Sequence, residues 1–259
     1  MKKNYYFVAT ALTPLQFGVQ PEMSFEEFQG LLEINLTPSD YAKTQTIRRY
    51  YDIENIRAFW KGDEIDPRGS LYEIELEEAL LSQDGLPGYV YDFIDAYDSK
   101  EKRLEHFASL ITSFFREESK SAEGLLKEYL QFERNWRLVL LGFRAKKLGK
   151  DLVSALQFED PEDDLVAQIL AQKDAKSFVA PEGYEDLQSI FETNADDPME
   201  LYIALDQYRY RKVEEMAGVE LFSIDRILGY MVRLIIIEKT IELDKKKGLE
   251  IIDKVMKGK

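Results

Sequence analysis

Cysteine is absent from the 259 residues, which removes disulfides, thiolate metal sites and cysteine nucleophiles together. Histidine occurs once, as His106, so a catalytic pair or metal site needing two imidazoles cannot be built within one chain. Positive charge is scarce: Asp and Glu number 49 against 34 Lys and Arg, for a formal net charge of −15. Such a chain is repelled by phosphate backbones and anionic membranes, which argues against a general nucleic-acid binder and leaves a local basic patch as the only exception. Long apolar runs are also missing. One of the longest, Leu234–Ile237, is flanked by Arg233 and Glu238 and falls far short of the roughly 20 residues a membrane helix needs. The opening Met-Lys-Lys and YYFVATAL are too short and too aromatic for a signal peptide. A mature N-terminus that packs into the core is expected there, in a reducing, cytoplasmic setting.

Proline is sparse where it matters most. None falls between Pro87 and Pro161, and none after Pro198. Both stretches are rich in Glu, Lys, Leu and Ala and free of hairpin turn pairs, so they are expected to be mostly helix. What is present supports a packed core: hydrophobic residues make up 45%, with 15 Tyr and 15 Phe, a folding rather than a disordered composition. Ser24-Phe-Glu-Glu27 is a capping-box pattern opening an apolar-periodic segment over residues 25–34. Ser39 or Asp40 is expected to cap the next helix, and Ser121 to precede a helix over residues 122–147. Asp196-Asp197 precedes Pro198, a residue favoured at the first helical position. Ser223 or Asp225 is the candidate cap of the last long helix. Leu125, Tyr129, Phe132, Trp136, Val139 and Phe143 step by fours and threes along one face, and residues 138–141 and 234–237 are apolar on all sides.

Evidence for strands is thin. YYFVATAL is either a short strand or a buried helix, and LYEIELEEAL alternates only briefly. The acidic stretches 158–164 and 192–198 are expected to be loops leading into helices. The fold class is therefore mostly α.

Three segments resemble one another. They are YDIENIRAFWKGDEI from Tyr51, FERNWRLVLLGFRAKKLGKDLV from Phe132, and GYMVRLIIIEKTIELDKKKGLEII from Gly229. Each carries an Arg directly before an apolar run (Arg57, Arg137, Arg233), and the first two share Asn-x-Arg through Asn55 and Asn135. Each then reaches a Gly with a short acidic-apolar tail. The third has Met231 where Asn would align. An Arg beside a buried run is costly unless paired, and Glu133 stands four residues before Arg137 in the favourable order. Asn is a poor helix former, so Asn135 is expected to reach a neighbouring backbone group. The three arginines either mark a repeated unit or are ordinary core-edge residues of helix hairpins.

This unit resembles the signature of the C-type stalk subunit of V-type ATPases, known as the d-type subunit in the eukaryotic pump. The likeness is best at residues 52–62, 132–152 and 230–255. The opening YYFVATALTPL is also similar to a small bacterial family whose genes accompany V-type ATPase operons, including those of chlamydiae. The resemblance implies one helical domain over 1–259, built of helical hairpin units in three pseudo-repeats at about 1–87, 88–160 and 161–259, shaped as a funnel or socket. It implies a non-catalytic role in the pump, cytoplasmic and peripheral on the inner face of the cell membrane through protein partners only. Those partners would be the membrane rotor ring and the central-stalk subunits, between which it would transmit torque. Asn55, Arg57, Asn135, Arg137 and Arg233 would then be structural or line the socket.

The residues do not spell out other familiar chemistry. Gly142-FRAKKL-Gly149-Lys150-Asp151 has the wrong spacing for a phosphate loop and lacks its hydroxyl residue, and no dinucleotide-binding glycine pattern occurs. No catalytic, cofactor-binding or metal-binding residue is assigned. The acidic run 159–164 lacks EF-hand grammar and suits a solvated helix start; Glu73, Glu75, Glu77 and Glu78 suit a solvent face. Arg144, Lys146 and Lys147 form a basic cluster that either meets acidic groups on a partner or offsets a helix C-terminal dipole. Two rival functions remain at this level: a free helical adaptor or ATPase assembly factor, and a carboxylate-based, metal-dependent enzyme.

Overall fold

The structure is a computed structural model that describes residues 3–256, with side chains described as far as residue 245. In chain order the helices are α1 (Tyr6–Ala11), α2 (Phe25–Asn35), α3 (Pro38–Lys61), α4 (Glu73–Ser82), α5 (Gly88–Ala96), α6 (Lys100–Glu105), α7 (Phe107–Ser121), α8 (Leu125–Lys147), α9 (Leu152–Ala155), α10 (Asp164–Leu170), α11 (Glu185–Asn194), α12 (Pro198–Met216) and α13 (Ile224–Met256). No strand occurs among the described residues. YYFVATAL resolves to the helix α1, and the brief alternation in LYEIELEEAL to α4.

Local chemistry explains most boundaries. The Ser24 hydroxyl accepts from the Glu27 N–H while the Glu27 carboxylate accepts from the Ser24 N–H, a complete capping box on α2. Asp197 accepts from the N–H groups of Met199 and Glu200, with Pro198 at the first position of α12. Ser223 accepts from the Arg226 N–H at the start of α13. Two expected caps are corrected. Thr37, not Ser39 or Asp40, caps α3: its hydroxyl accepts from the Asp40 N–H at 3.3 Å, because Pro38 takes the first helical position. Ser121 ends α7 instead of opening the next helix, and α8 starts after Gly124, whose φ of +58° turns the chain.

The first two similar segments stop in the same way. After α3, Asp63 N–H donates to Ala58 O and Gly62 adopts φ +79°; after α8, Lys150 N–H donates to Ala145 O and Gly149 adopts φ +63°. Both are left-handed glycine stops with a six-to-one hydrogen bond. The third segment differs, since α13 continues as helix past Gly248 to Met256. The side chains of its tail, Lys247 to Ile251, lie outside the described residues.

The chain divides into two compact units, residues 1–44 with 196–259 and residues 45–195, so it passes from one to the other twice, within α3 and between α11 and α12. These boundaries differ from the three-segment division at 1–87, 88–160 and 161–259. In the first unit α13 packs on α12 and α2, and α1 on α2. Residues 227–237 of α13 are buried on every side, which is why its Ile-rich run is compatible with helix: packing overrides the β preference of branched residues. In the second unit α7 packs on α5 and α8, and α8 carries α9, α10 and α11. Ile53, Ile56, Leu110, Phe114 and Val139 form its fully buried centre, each worth about 1.5–3 kcal/mol on leaving water.

Candidate functional site

The three similar arginines adopt one arrangement. Each guanidinium lies between a carboxylate and an aromatic ring. Arg57, on α3, pairs with Glu54 and sits over the Phe107 ring at 5.2 Å. Arg137, on α8, pairs with Glu133 at 3.2 Å and sits over Tyr50 at 4.6 Å and Trp136 at 5.2 Å. Arg233, on α13, pairs with Glu214 at 2.5 Å and sits over Tyr210 at 5.3 Å. A planar cation suits both partners at once, the carboxylate at its edge and the ring at its face.

Burial differs among the three. Arg57 keeps 43% of its side chain exposed, Arg137 31% and Arg233 only 4%. The most buried of the three partner acids is Glu133, which also accepts from the Trp136 indole N–H at 3.0 Å. Around Arg137 the polar groups continue. The Tyr50 hydroxyl donates to Glu54 at 3.0 Å, and burial holds its proton on well above the usual phenol range. Arg49 clasps Glu118 at 2.7 and 2.8 Å, and the Tyr89 hydroxyl donates to the same carboxylate at 2.9 Å. Burial, then the Glu118 charge, pushes the Tyr89 hydroxyl up in turn.

The two asparagines diverge. Asn55, fully buried, donates to Asp66 O and accepts from Asp66 N–H. Asn135 does not reach a backbone group as expected: its side chain accepts from Gln131 at 2.8 Å. Gln131 is one turn before it on α8 and offers a nearer partner than any loop. Of the basic cluster, Lys146 donates to the carbonyls of Lys173 and Ala175, and Lys147 to Ala195 O at the end of α11. These lysines neutralise the carbonyl ends of neighbouring segments. Arg144 has no carboxylate partner among the described residues; burial and the nearby Arg137 charge lower its pKa.

Three features escape the sequence. Arg134, beside the recognised Asn-x-Arg, binds Glu159 at 2.7 Å and Asp163 at 3.0 Å, so part of the acidic run 158–164 is pinned to α8 instead of solvated. Arg48 donates to the carbonyls of Arg68 and Gly69. Asp52, 2% exposed, accepts from the Ser70 N–H and hydroxyl at 2.6 Å and from the Leu71 N–H at 3.1 Å. Arg48, Asp52 and Asn55 thus fasten the Asp66-Pro-Arg-Gly-Ser70 turn to α3. The turn-forming Pro-x-Gly is the available signal, but its three anchors lie a helix away in sequence. Beside this clamp lies a cleft of about 560 Å³ lined by Gln45, Arg49, Asp52, Ser70, Gly85, Leu86 and Pro87. Burial raises the Asp52 pKa, yet both carboxylate oxygens are engaged by the turn, so the group fastens a loop instead of facing a substrate.

His106 stacks on Tyr97 at 4.6 Å at the junction of α6 and α7. No group of three or more His, Asp or Glu positioned to hold a metal ion occurs among the described residues. No helix among them is long and apolar enough to cross a membrane.

Fold and site together define an all-helical protein whose recurrent polar feature is an arginine clamped between an acid and a ring. The model of the family described as "Protein of unknown function (DUF2764)" matches residues 1–259, and the chain belongs to that family. It is 29% identical over 259 residues to a protein of Chlamydia trachomatis serovar D, covering 98% of this chain and 97% of the relative. A Chlamydia pneumoniae protein is 30% identical over 262 residues, with 98% of each chain covered. Both relatives carry the name "Uncharacterized protein". No solved structure matches the chain.

Proposed function

We propose that this protein is a non-catalytic part of a V-type ATPase that couples the central stalk to the membrane rotor ring, peripheral to the inner face of the cell membrane. The observation that carries this reading is the thrice-repeated clamp of Arg57, Arg137 and Arg233, each set against an acid and at least one aromatic ring. Resemblance to the C-type stalk subunit rests on those same three segments; in the first two the acid stands one turn before the Arg on the same helix, and in the third it comes from α12. Helices joined by arginine–ring contacts, α3 to α7 through Arg57 and Phe107 and α8 to α3 through Arg137 and Tyr50, and by the Arg233–Glu214 pair between α13 and α12, suit a part that must transmit force without yielding. Asp52, a buried acid lining the cleft, holds a turn, which supports a scaffold over an enzyme. The near-full-length chlamydial relatives are compatible with the operon-associated family that the opening residues resemble.

The test is retention. A C-terminally tagged chain is expressed in its native host, the membranes are solubilised gently, and co-purifying proteins are quantified. Near-equal amounts of rotor-ring and central-stalk subunits support the reading. Substoichiometric ATPase subunits that wash away point to an assembly factor, and a clean soluble chain from membranes that contain the pump overturns the ATPase role.

A further inference from the structure

Two helix faces within residues 45–195 have opposite charge and matching spacing, the α4 face exposed and the α8 face half-buried at Arg137 and Leu141 and exposed at Arg144 and Leu148. On α8, Arg137, Leu141, Arg144 and Leu148 follow one another at steps of four, three and four, which places them on one stripe. Leu148, at the C-cap, is 67% exposed. Arg144 is exposed and carries a charge that no described carboxylate neutralises, while Arg137 adds a like charge next to it. On α4, Ile74 and Leu81 are 79% and 80% exposed. Glu77 and Glu78 lie between them, exposed and in no ion pair with a described residue.

Ile74, Leu81 and Leu148 are bare aliphatic side chains beside unpaired charge, the kind of surface that association covers, and half-buried Leu141 completes the α8 pair. Here the two faces fit each other. Leu141 and Leu148 are seven residues apart, as are Ile74 and Leu81, and seven helical residues span about 10.5 Å. Laid side by side, the two apolar pairs come into register. That register sets the Arg144 guanidinium between Leu141 and Leu148 against the Glu77 and Glu78 carboxylates between Ile74 and Leu81. Both halves belong to one sequence, so the occupant that satisfies both is a second copy of this chain.

We infer that the protein self-associates, the α8 face of one copy docking on the α4 face of another. If the contact is reciprocal, two such contacts close a two-fold dimer. The inference stands apart from the ATPase reading, because that reading makes no use of the α4 face or of Leu148.

Sedimentation velocity on the purified full chain, from about 1 to 100 μM, tests it. A concentration-dependent dimer is expected, weakened in about 1 M salt because exposed pairs are screened. Arg144→Glu is expected to weaken association by about tenfold or more through like-charge contact, and Glu77→Arg with Glu78→Arg to do the same. Combining all three exchanges the charges across the contact and restores association. Melting temperatures of the variants serve as folding controls, since these side chains are exposed. A wild-type chain that stays monomeric overturns the inference. So do reversal variants that associate like the wild type, or a combined variant that remains monomeric.

Discussion

Asn55 holds Asp66 by both of its backbone polar groups: its Nδ2 donates to the Asp66 carbonyl at 2.9 Å, and its Oδ1 accepts from the Asp66 N–H at 2.7 Å. One buried amide therefore does for this turn what a strand partner would do elsewhere. Asn55→Ala removes both bonds and leaves partly buried backbone groups unmade. A loss of about 1–3 kcal/mol is expected, measured as a lower urea midpoint with unchanged slope. Asn55→Asp should also destabilise, because a carboxylate has no N–H to offer the Asp66 carbonyl.

Asp52 gives a pH signature with a definite sign. Burial raises its folded pKa above the unfolded value of about 3.9. The folded state therefore binds this proton more tightly, so the contribution of Asp52 to stability grows as pH falls through the folded pKa and is complete below about 3.9. Asp52→Asn removes that titration while its amide still accepts from Ser70 and Leu71 and donates to the Ser70 hydroxyl. The expected result is a variant within about 0.5 kcal/mol of wild type, or above it, at pH 7, against which wild type gains stability as pH is lowered. Denaturation of both proteins across pH 3–8 measures the difference. A wild type that instead loses stability relative to the variant over that range contradicts the assignment.

The three repeated arginines should not cost the same. Arg57 is nearly half exposed and its partner Glu54 is partly solvated, so Arg57→Ala is expected to cost no more than about 1 kcal/mol. Arg137→Ala strips the cation from Glu133, which is 3% exposed. A buried acid without its cation is costly, and after allowance for the partial exposure of Arg137 the loss should be about 2–3 kcal/mol. Arg137→Lys restores charge but not the flat stack on Tyr50 and recovers only part. Thermal melts of the two alanine variants under one buffer test the ranking, and equal losses at Arg57 and Arg137 contradict it.

Gly142 sits within α8 against the Phe178 ring, where an added Cβ would lie 2.5 Å from Cζ. Alanine at a helical glycine normally gains about 1 kcal/mol, but overpacking costs about 1–3 kcal/mol. The clash should win, so Gly142→Ala is expected to destabilise. In a Phe178→Ala background the ring is gone and the same change should stabilise. A double-mutant cycle reads the reversal of sign directly.

Residues alone reveal what short-range chemistry decides. The capping box at Ser24 and the Asp197-Pro198 start need only neighbours in sequence, and both stand as expected. Thr37 does not stand out because Ser39 and Asp40 are equally good caps in isolation; only the place of Pro38 in the first turn settles it. Gly124 does not stand out because Ser121 is a cap residue by type, whereas the packing of α7 carries that helix through it. The Arg57, Arg137 and Arg233 pattern is visible, but not its rings: Phe107 is 50 residues from Arg57, and Tyr50 is 87 from Arg137. Arg134 is hidden by adjacency to the motif, and its partners Glu159 and Asp163 pass for solvated acids. Asp52 carries no signal at all, because nothing in a helix marks which acid will receive a distant turn.

The most direct measurement is the ratio of ion transport to ATP hydrolysis in membranes that contain the pump, with this chain removed and then restored. If the chain couples the two, its loss should leave ATP hydrolysis running while ion transport collapses, and adding the purified chain should bring transport back. Transport that proceeds unchanged without the chain, at the same rate of hydrolysis, would contradict the account.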